Sequence, residues 1–368
     1  MINKNIKTPA YFQIYIQVRD DIINGIYPLG SKLPSKRIIS ADIGISTITV
    51  EHAYELLCEE GYVESRERRG YFVIFHTDDG FIPVAKNKKD HENDQKQEQG
   101  SEPNLDVDIE FPFSVLAKTM RKVITELDRG ILDRSPNLGC VPLRSAICDY
   151  LARSKRIYVD IDQVIVGSGA EYLYTILVEL LGRKHTYAIE SPSYNKIEQV
   201  YSASDVQLKK LPLGNDGIDS AALRQCQADI LHISPYRSYP SGVTASASKR
   251  HEYIRWAEKG ERYIIEDDFE SEFSLFPQNM ETLFSLSSLK NVIYMNTFSK
   301  TISPSLRIGY MVLPKHLARK YEKELSFMSC TVPTYIQYVV AELLENGDFE
   351  RHLNRVRRNK RKTARTKS

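Results

Sequence analysis

A stretch of twenty-eight residues at positions 77–104, TDDGFIPVAKNKKDHENDQKQEQGSEPN, limits what this 368-residue chain can become. After Val84 it has neither helical nor strand periodicity. Its Lys, Asp, Glu, Asn and Gln bury too little apolar surface to offset the entropy of ordering the backbone. A chain interrupted in this way folds as separate units on either side of a linker. The expected division is a domain over 1–76, a flexible linker over 77–104, a second domain over 105–350 and a basic, truncated tail over 351–368 that carries nine basic side chains. A tail of that composition reads as a solvated end, a shifted reading frame or a nonspecific DNA contact.

Composition excludes several classes. The apolar fraction is 42%, as in soluble globular proteins, and no apolar run approaches the roughly 20 residues of a membrane span. The start, MINKNIKTPAYFQ, has no apolar core of a secretion signal, so a cytoplasmic protein is expected. Five scattered cysteines with no CxxC pair argue against zinc and against a disulfide framework, and packed thiols are expected at Cys140 and Cys148. Net charge is only +2, and residues 1–76 hold nine basic and nine acidic side chains. Any nucleic-acid field must therefore come from clustering on one face.

The first domain reads as three helices and a hairpin. Thr8-Pro9 opens a helix with Ile14, Val18, Ile22 and Ile23 at helical spacing, and Gly25 and Gly30 end it. Ser35 caps a short second helix, Gly44 makes a turn, and Ser46 opens a third whose inner face is Val50, Ala53, Tyr54, Leu57 and Cys58. After Gly61, YVES and GYFVIF form two strands around the charged tip ESRERRG. A helix N-terminus bearing Ser46, Thr47 and Thr49 suits phosphates and base edges. Arg37, Arg66, Arg68 and Arg69, with Gly70 in the hairpin, supply positive charge unless they are ordinary solvated surface. His52 reads as a surface or core histidine.

The segments LPSKR, GISTITV, AYELLCEEGY and RRGYFV make this domain resemble the GntR-type winged helix-turn-helix nearly end to end. Thr47 stands where that family usually has arginine, which removes one charged contact with DNA.

From about 105 onward, short β-branched runs (VIVGSG, TYAIES, ADILHIS, YIIEDD, NVIYMNT) alternate with helical segments, which indicates a mostly parallel α/β sheet. Ligands in such sheets collect at the carboxyl ends of the strands. Residues 294–310, YMNTFSKTISPSLRIGY, set Lys300 among hydroxyls with Arg307 seven positions later. An aldehyde that also carries a phosphate needs such a set: an amine for a Schiff base, and hydroxyls with a guanidinium for the phosphate. Ser168, Gly169 and Ala170 form a turn before a helix that suits either a phosphate or a plain tight corner. Tyr194 suits stacking on a ring or ordinary packing. Glu266, Asp267 and Asp268 end a strand, where a carboxylate can keep a pyridinium protonated, bind a metal or cap the next segment.

Together these segments resemble a fold-type-I aminotransferase large domain, and the whole chain resembles the MocR subgroup of GntR regulators, which joins both modules in this order. The run SPNLGCVPLRSAICDYL belongs to the likeness. The resemblance implies pyridoxal 5′-phosphate as cofactor, with Lys300 forming the Schiff base, Asp267 on the ring nitrogen and Tyr194 on the ring. Thr297, Ser299, Arg307 and the Ser168–Ala170 loop would hold the phosphate, and no metal is implied. It also implies a homodimer on double-stranded operator DNA and an effector that is the cofactor or an amine, with no membrane.

The departures carry expectations too. Phe269 occupies the place of a tyrosine that usually meets the phenolic oxygen, and the Tyr239 hydroxyl is the expected replacement. Arg237 stands where histidine is usual. The smaller C-terminal domain of the family does not follow residue 350, which leaves helices near 320–350 without an obvious partner and the amino-acid site incomplete. The leading expectation is a regulator, not an enzyme. An aminotransferase with a DNA-binding appendage, and a regulator with a non-functional sensor, are the alternatives.

Overall fold

The computed structural model describes residues 9–59, 61–66, 69–75, 110–260, 262–273, 281–287 and 290–367. The expected linker and Arg68 lie outside them. The chain divides into two units, Met1–Gly100 and Ser101–Ser368.

In the first unit, helices α1 (Ala10–Ile23), α2 (Lys36–Ile43) and α3 (Thr47–Glu59) precede the hairpin β1 (Val63–Arg66) and β2 (Gly70–Val73). The Ser35 hydroxyl accepts from Ile38 N, and Gly44 at φ 73° takes the left-handed turn that parts α2 from α3. Ile14, Val18 and Ile22 of α1 meet Val50, Ala53, Tyr54 and Leu57 of α3 in one core, closed by Val63 and Val73. Tyr54 is buried, and its hydroxyl donates to Pro34 O at 2.9 Å. The hairpin is antiparallel, with Arg66 opposite Gly70 at its open tip.

The second unit begins with α4 (Phe113–Leu127) and α5 (Val141–Lys155). There follow β3 (Val164–Gly167), α6 (Ala170–Leu181), β4 (Thr186–Ser191), α7 (Asn195–Ala203), β5 (Gln207–Gly214) and β6 (Gly217–Ile218). Then come α8 (Ser220–Gln225), β7 (Ile230–Ile233), α9 (Ala247–Glu258), β8 (Tyr263–Asp267), α10 (Leu283–Leu286) and β9 (Val292–Thr297). The last elements are β10 (Gly309–Val312), α11 (Lys315–Leu325), α12 (Thr334–Glu345) and α13 (Asp348–Lys367).

The eight strands form one sheet in the order β3-β10-β9-β8-β7-β4-β5-β6. The pairs from β9 through β8, β7 and β4 to β5 are parallel, whereas β10 runs antiparallel to both β3 and β9. Every residue of β3, β7 and β10 is buried, so the sheet is covered on both faces there, whereas β5 is largely exposed. Val164, Val166, Tyr310 and Val312 pack with α5 and α12, while Ile165, Ile265, Ile293 and Met311 pack with α6 and α11.

One expectation fails here. The helices near 320–350 do have partners within the unit. Leu317 and Tyr321 of α11 lie in the core with α6, and Val339, Val340, Leu343 and Leu344 of α12 pack against α4 and α5. Gln337 of α12 is buried: its Oε1 accepts from Cys140 N at 2.6 Å, and its Nε2 donates to Ser135 Oγ at 2.7 Å and Val332 O at 2.8 Å. The segment read as a basic tail enters α13, whose Phe349, Leu353 and Val356 are buried. Apolar residues at that helical spacing fix its first turns to the core whatever the charge of the rest.

Candidate functional site

The carboxyl ends of β8 and β9 open into a cleft, and alternation along β8 decides what each of its acids does. Glu266 accepts from the backbone N–H groups of Leu283 and Phe284, each at 2.9 Å. Burial, with the charge of Asp268 beside it, pushes the Glu266 carboxyl up to about 8. Asp268 accepts from Lys155 Nζ at 3.0 Å and from the Tyr294 hydroxyl at 2.8 Å. Asp267 alone lines the cleft. The three acids therefore hold three separate sets of partners. Among the described residues no group of three or more His, Cys, Asp or Glu could hold a metal ion.

Asp267 is buried, and its Oδ2 accepts from the Tyr174 hydroxyl at 2.5 Å. Burial and then the Asp267 charge push the Tyr174 phenol well above its ordinary value, so it remains a donor. His232 Nε2 lies 3.6 Å from the same oxygen, while its Nδ1 is 2.7 Å from the Tyr201 hydroxyl. Asp267 is thus held in a fixed orientation. Sequence reading missed Tyr174 and His232, because each lies within an apolar run that reads as plain core.

Lys300 follows the end of β9, and its amine is ion-paired with Glu270 and lies 5.4 Å from the Phe269 ring centre. Glu270 was likewise missed, since in ESEF it looks like one more surface acid. Thr297 turns its hydroxyl to brace the bend, donating to Ile308 O and accepting from Ser299 N, both at 3.1 Å. The Ser299 hydroxyl is buried and has no hydrogen-bond partner among the described residues. Tyr194 and Tyr239 stand edge to face with ring centres 6.1 Å apart, and both line the cleft.

Ala170, Thr297, Ser299 and Arg307 line the same cleft. Gly169 sits at φ 95°, and a β-carbon there would lie 2.9 Å from Arg307 Nη2. The positive φ favours glycine there, and a side chain would also have to push the Arg307 guanidinium aside. Ser168 does not line the cleft; its hydroxyl is 2.8 Å from Thr331 Oγ1. Arg307 itself, at φ 44°, is ion-paired to Glu171 at 2.7 Å.

In the first unit, Thr47 and Arg37 are exposed, and Ser46 caps α3: its Oγ accepts from Thr49 N at 3.2 Å and lies 2.8 Å from Thr49 Oγ1. His52 stacks on Tyr11, ring centres 4.3 Å apart. In the wing, Arg69 is exposed, whereas Arg66 is ion-paired to Glu64 at 2.6 Å and lies over the Phe72 ring. Arg66 is thus partly neutralised, because strand alternation puts Glu64 on its side of the hairpin. Lys32, absent from the expected set, has its Cε 3.0 Å from where a Gly70 β-carbon would sit, which adds a cation beside the wing.

A winged helix-turn-helix followed by a two-faced sheet of this order, with a lysine and a carboxylate at adjacent strand ends, defines a DNA-binding protein with an aminotransferase-like domain. Residues 10–73 match the family model for bacterial regulatory proteins of the gntR family, and residues 104–367 match that for aminotransferases of class I and II. The chain is 31% identical to the uncharacterized HTH-type transcriptional regulator YdeL of Bacillus subtilis, over 98% of this chain and 79% of that one. It is 26% identical to the probable rhizopine catabolism regulatory protein MocR of Rhizobium meliloti, over 97% and 76%. The same identity, over 97% and 78%, relates it to the pyridoxine biosynthesis transcriptional regulator PdxR of Corynebacterium glutamicum. The chain belongs to the GntR family of HTH-type transcriptional regulators that carry an aminotransferase class I and II domain, the MocR type.

Among solved structures, an archaeal alanine:glyoxylate aminotransferase matches with TM-score 0.60 at 22% identity, over 66% of this chain and 62% of that one. Kynurenine aminotransferase of Pyrococcus horikoshii, solved in complex with PMP, matches with TM-score 0.61 at 22% identity, over 67% and 64%. At that identity the likeness establishes the fold alone. The chain spans a little under two thirds of the length of these aminotransferases. No described helix is long and apolar enough to cross a membrane.

Proposed function

We propose that this regulator takes up pyridoxal 5′-phosphate at Lys300 and that occupancy of the cleft alters operator binding by the winged domain. The observation that carries this reading is the cleft itself, where Lys300, the buried carboxylate of Asp267 and the unpartnered buried hydroxyl of Ser299 meet. A buried hydroxyl without a partner is costly unless a ligand satisfies it, and a phosphate oxygen does so. The residues present therefore fit the group. When bound, the cofactor supplies an aldehyde carbon for an amine and a pyridine ring that withdraws electrons.

The chain's own residues have distinct tasks in this reading. Asp267, oriented by Tyr174, holds a proton on the ring nitrogen. Tyr194 covers the ring, and Tyr239 supplies the hydroxyl that Phe269 lacks. Ser299, Arg307 and the backbone at Gly169 and Ala170 hold the phosphate. In the first unit, Arg37, Thr47, Thr49, Arg69 and Gly70 face DNA, with Ser46 shaping the helix end. The chain works as a homodimer in the cytoplasm, with a reader over 1–76, a linker over 77–104 and a sensor beyond it. An effector acts by binding the DNA-competent and incompetent arrangements unequally. The effector is the cofactor itself or an amine that reacts with it.

Titration of the purified chain with pyridoxal 5′-phosphate tests the reading. A saturable visible absorption band in the wild type, lost in Lys300→Ala, is expected. Absence of the band in the wild type would overturn it.

A further inference from the structure

The phosphate end of the cleft already contains a carboxylate. Glu171, the second residue of α6, takes Arg307 Nη2 on Oε2 at 2.7 Å and Lys196 Nζ on Oε1 at 3.1 Å. Both partners are the cations that an anionic ligand at the start of α6 would use. The Arg307–Glu171 pair also stands beside Gly169 at the start of α6. A β-carbon built on Gly169 would lie 2.9 Å from Arg307 Nη2 and 3.4 Å from Glu171 Oε2, so the pair stands over the glycine that leaves the helix end open. Burial favours the neutral form of Glu171, but its own backbone N–H, Lys196 and Arg307 bring it below its ordinary value. It is charged at neutral pH.

We propose that Glu171 is a built-in competitor for the phosphate subsite, which lowers the cleft's affinity for phosphorylated ligands and keeps them exchangeable. This rests on the sensor reading above. The physical basis is direct. A phosphate at the α6 N-terminus gains backbone donors and the helix dipole, but it must draw Arg307 away from Glu171 and then share the subsite with an ionised carboxylate. An enzyme that keeps its cofactor through many turnovers gains nothing from such a residue. A sensor whose occupancy must follow the free concentration needs weak, reversible binding.

The experiment compares pyridoxal 5′-phosphate with pyridoxal, which lacks the phosphate, by absorbance titration of the full chain and of Glu171→Gln. The amide keeps the size of the side chain and removes the charge. Circular dichroism and the thermal midpoint confirm that the variant is folded, and Glu171→Asp provides a second variant with the charge retained. The expected result is that Glu171→Gln binds pyridoxal 5′-phosphate about tenfold more tightly or better, about 1.4 kcal/mol, with pyridoxal unchanged and Glu171→Asp close to wild type.

Equal affinities in wild type and Glu171→Gln would overturn it and leave the sensor reading standing. Weaker binding by the variant would also overturn it, because Glu171 would then be orienting Arg307 for the phosphate. If neither chain took up either aldehyde, both this inference and the sensor reading would fall.

Discussion

Glu270 forms an ion pair with Lys300 of the cleft, both side chains largely buried at 13% and 16% exposure. A carboxylate beside an amine favours the charged amine, whereas attack on an aldehyde needs the neutral one. Glu270→Gln removes the carboxylate and keeps the shape. The pH midpoint of pyridoxal 5′-phosphate uptake is expected to fall by about one unit in this variant. Borohydride trapping followed by mass measurement across a pH series reads the midpoint. An unmoved midpoint would show that the pair does not control the amine.

Thr47 is exposed at the start of α3, where the resembling family usually has arginine. Thr47→Arg is expected to strengthen binding to double-stranded DNA and to steepen the dependence of log K on log salt by about one. Arg69→Ala is expected to make it shallower by a similar amount. Fluorescence anisotropy with one duplex at several salt concentrations measures both. Slopes equal to wild type would place neither residue against phosphates.

Glu190 is buried at the end of β4, where it accepts from Ser238 Oγ at 2.6 Å and from Ser234 N at 3.2 Å. Burial pushes its carboxyl from an ordinary 4.5 up to about 7. The folded chain therefore binds more protons than the unfolded one between those values. The stability this provides is present below the lower value and is lost as pH rises through the upper one, by at most roughly 3 kcal/mol. Glu190→Gln can keep an oxygen for both serines while losing the ionisation. Denaturation midpoints from pH 5 to 8 are expected to decline less steeply in the variant.

Gln337→Leu leaves the Cys140 N–H and the Val332 carbonyl without their partners at the junction of α5 and α12. A loss of about 2–4 kcal/mol is expected, from two stranded buried groups. Urea unfolding followed by far-ultraviolet circular dichroism checks it. A loss under about 0.5 kcal/mol would mean that water or a shifted backbone satisfies those groups.

The sequence showed those parts of the molecule whose local chemistry has no second use. Ser35, Gly44 and the Val50–Leu57 stripe dictate a helical reader, because caps and an apolar face are local signals. Lys300, Asp267 and Arg307 were legible because a lysine, an acid and an arginine at strand ends are hard to explain as packing. Glu270 and Lys32 were not, since both look like surface charge until the fold supplies their neighbours. Nor was strand β10 foreseen. GYMV is too short to show a period, and its antiparallel direction, with Gly309 opposite both Gly167 and Thr297, comes from the chain's path and not from its own residues. The same limit explains the error over α12. Its apolar face is plain in the sequence, but which helices cover it is decided by topology.

Strand β10 lies between β3 and β9, so the first strand of the sheet joins it only through one of the last made. During translation the loop at Gly169 therefore waits, without Arg307 to face it, until the ribosome has passed residue 312. All the elements of the DNA reader are made by Val73, whereas the cleft still lacks Arg307. A chain at that stage has the elements of the DNA reader without those of the cleft.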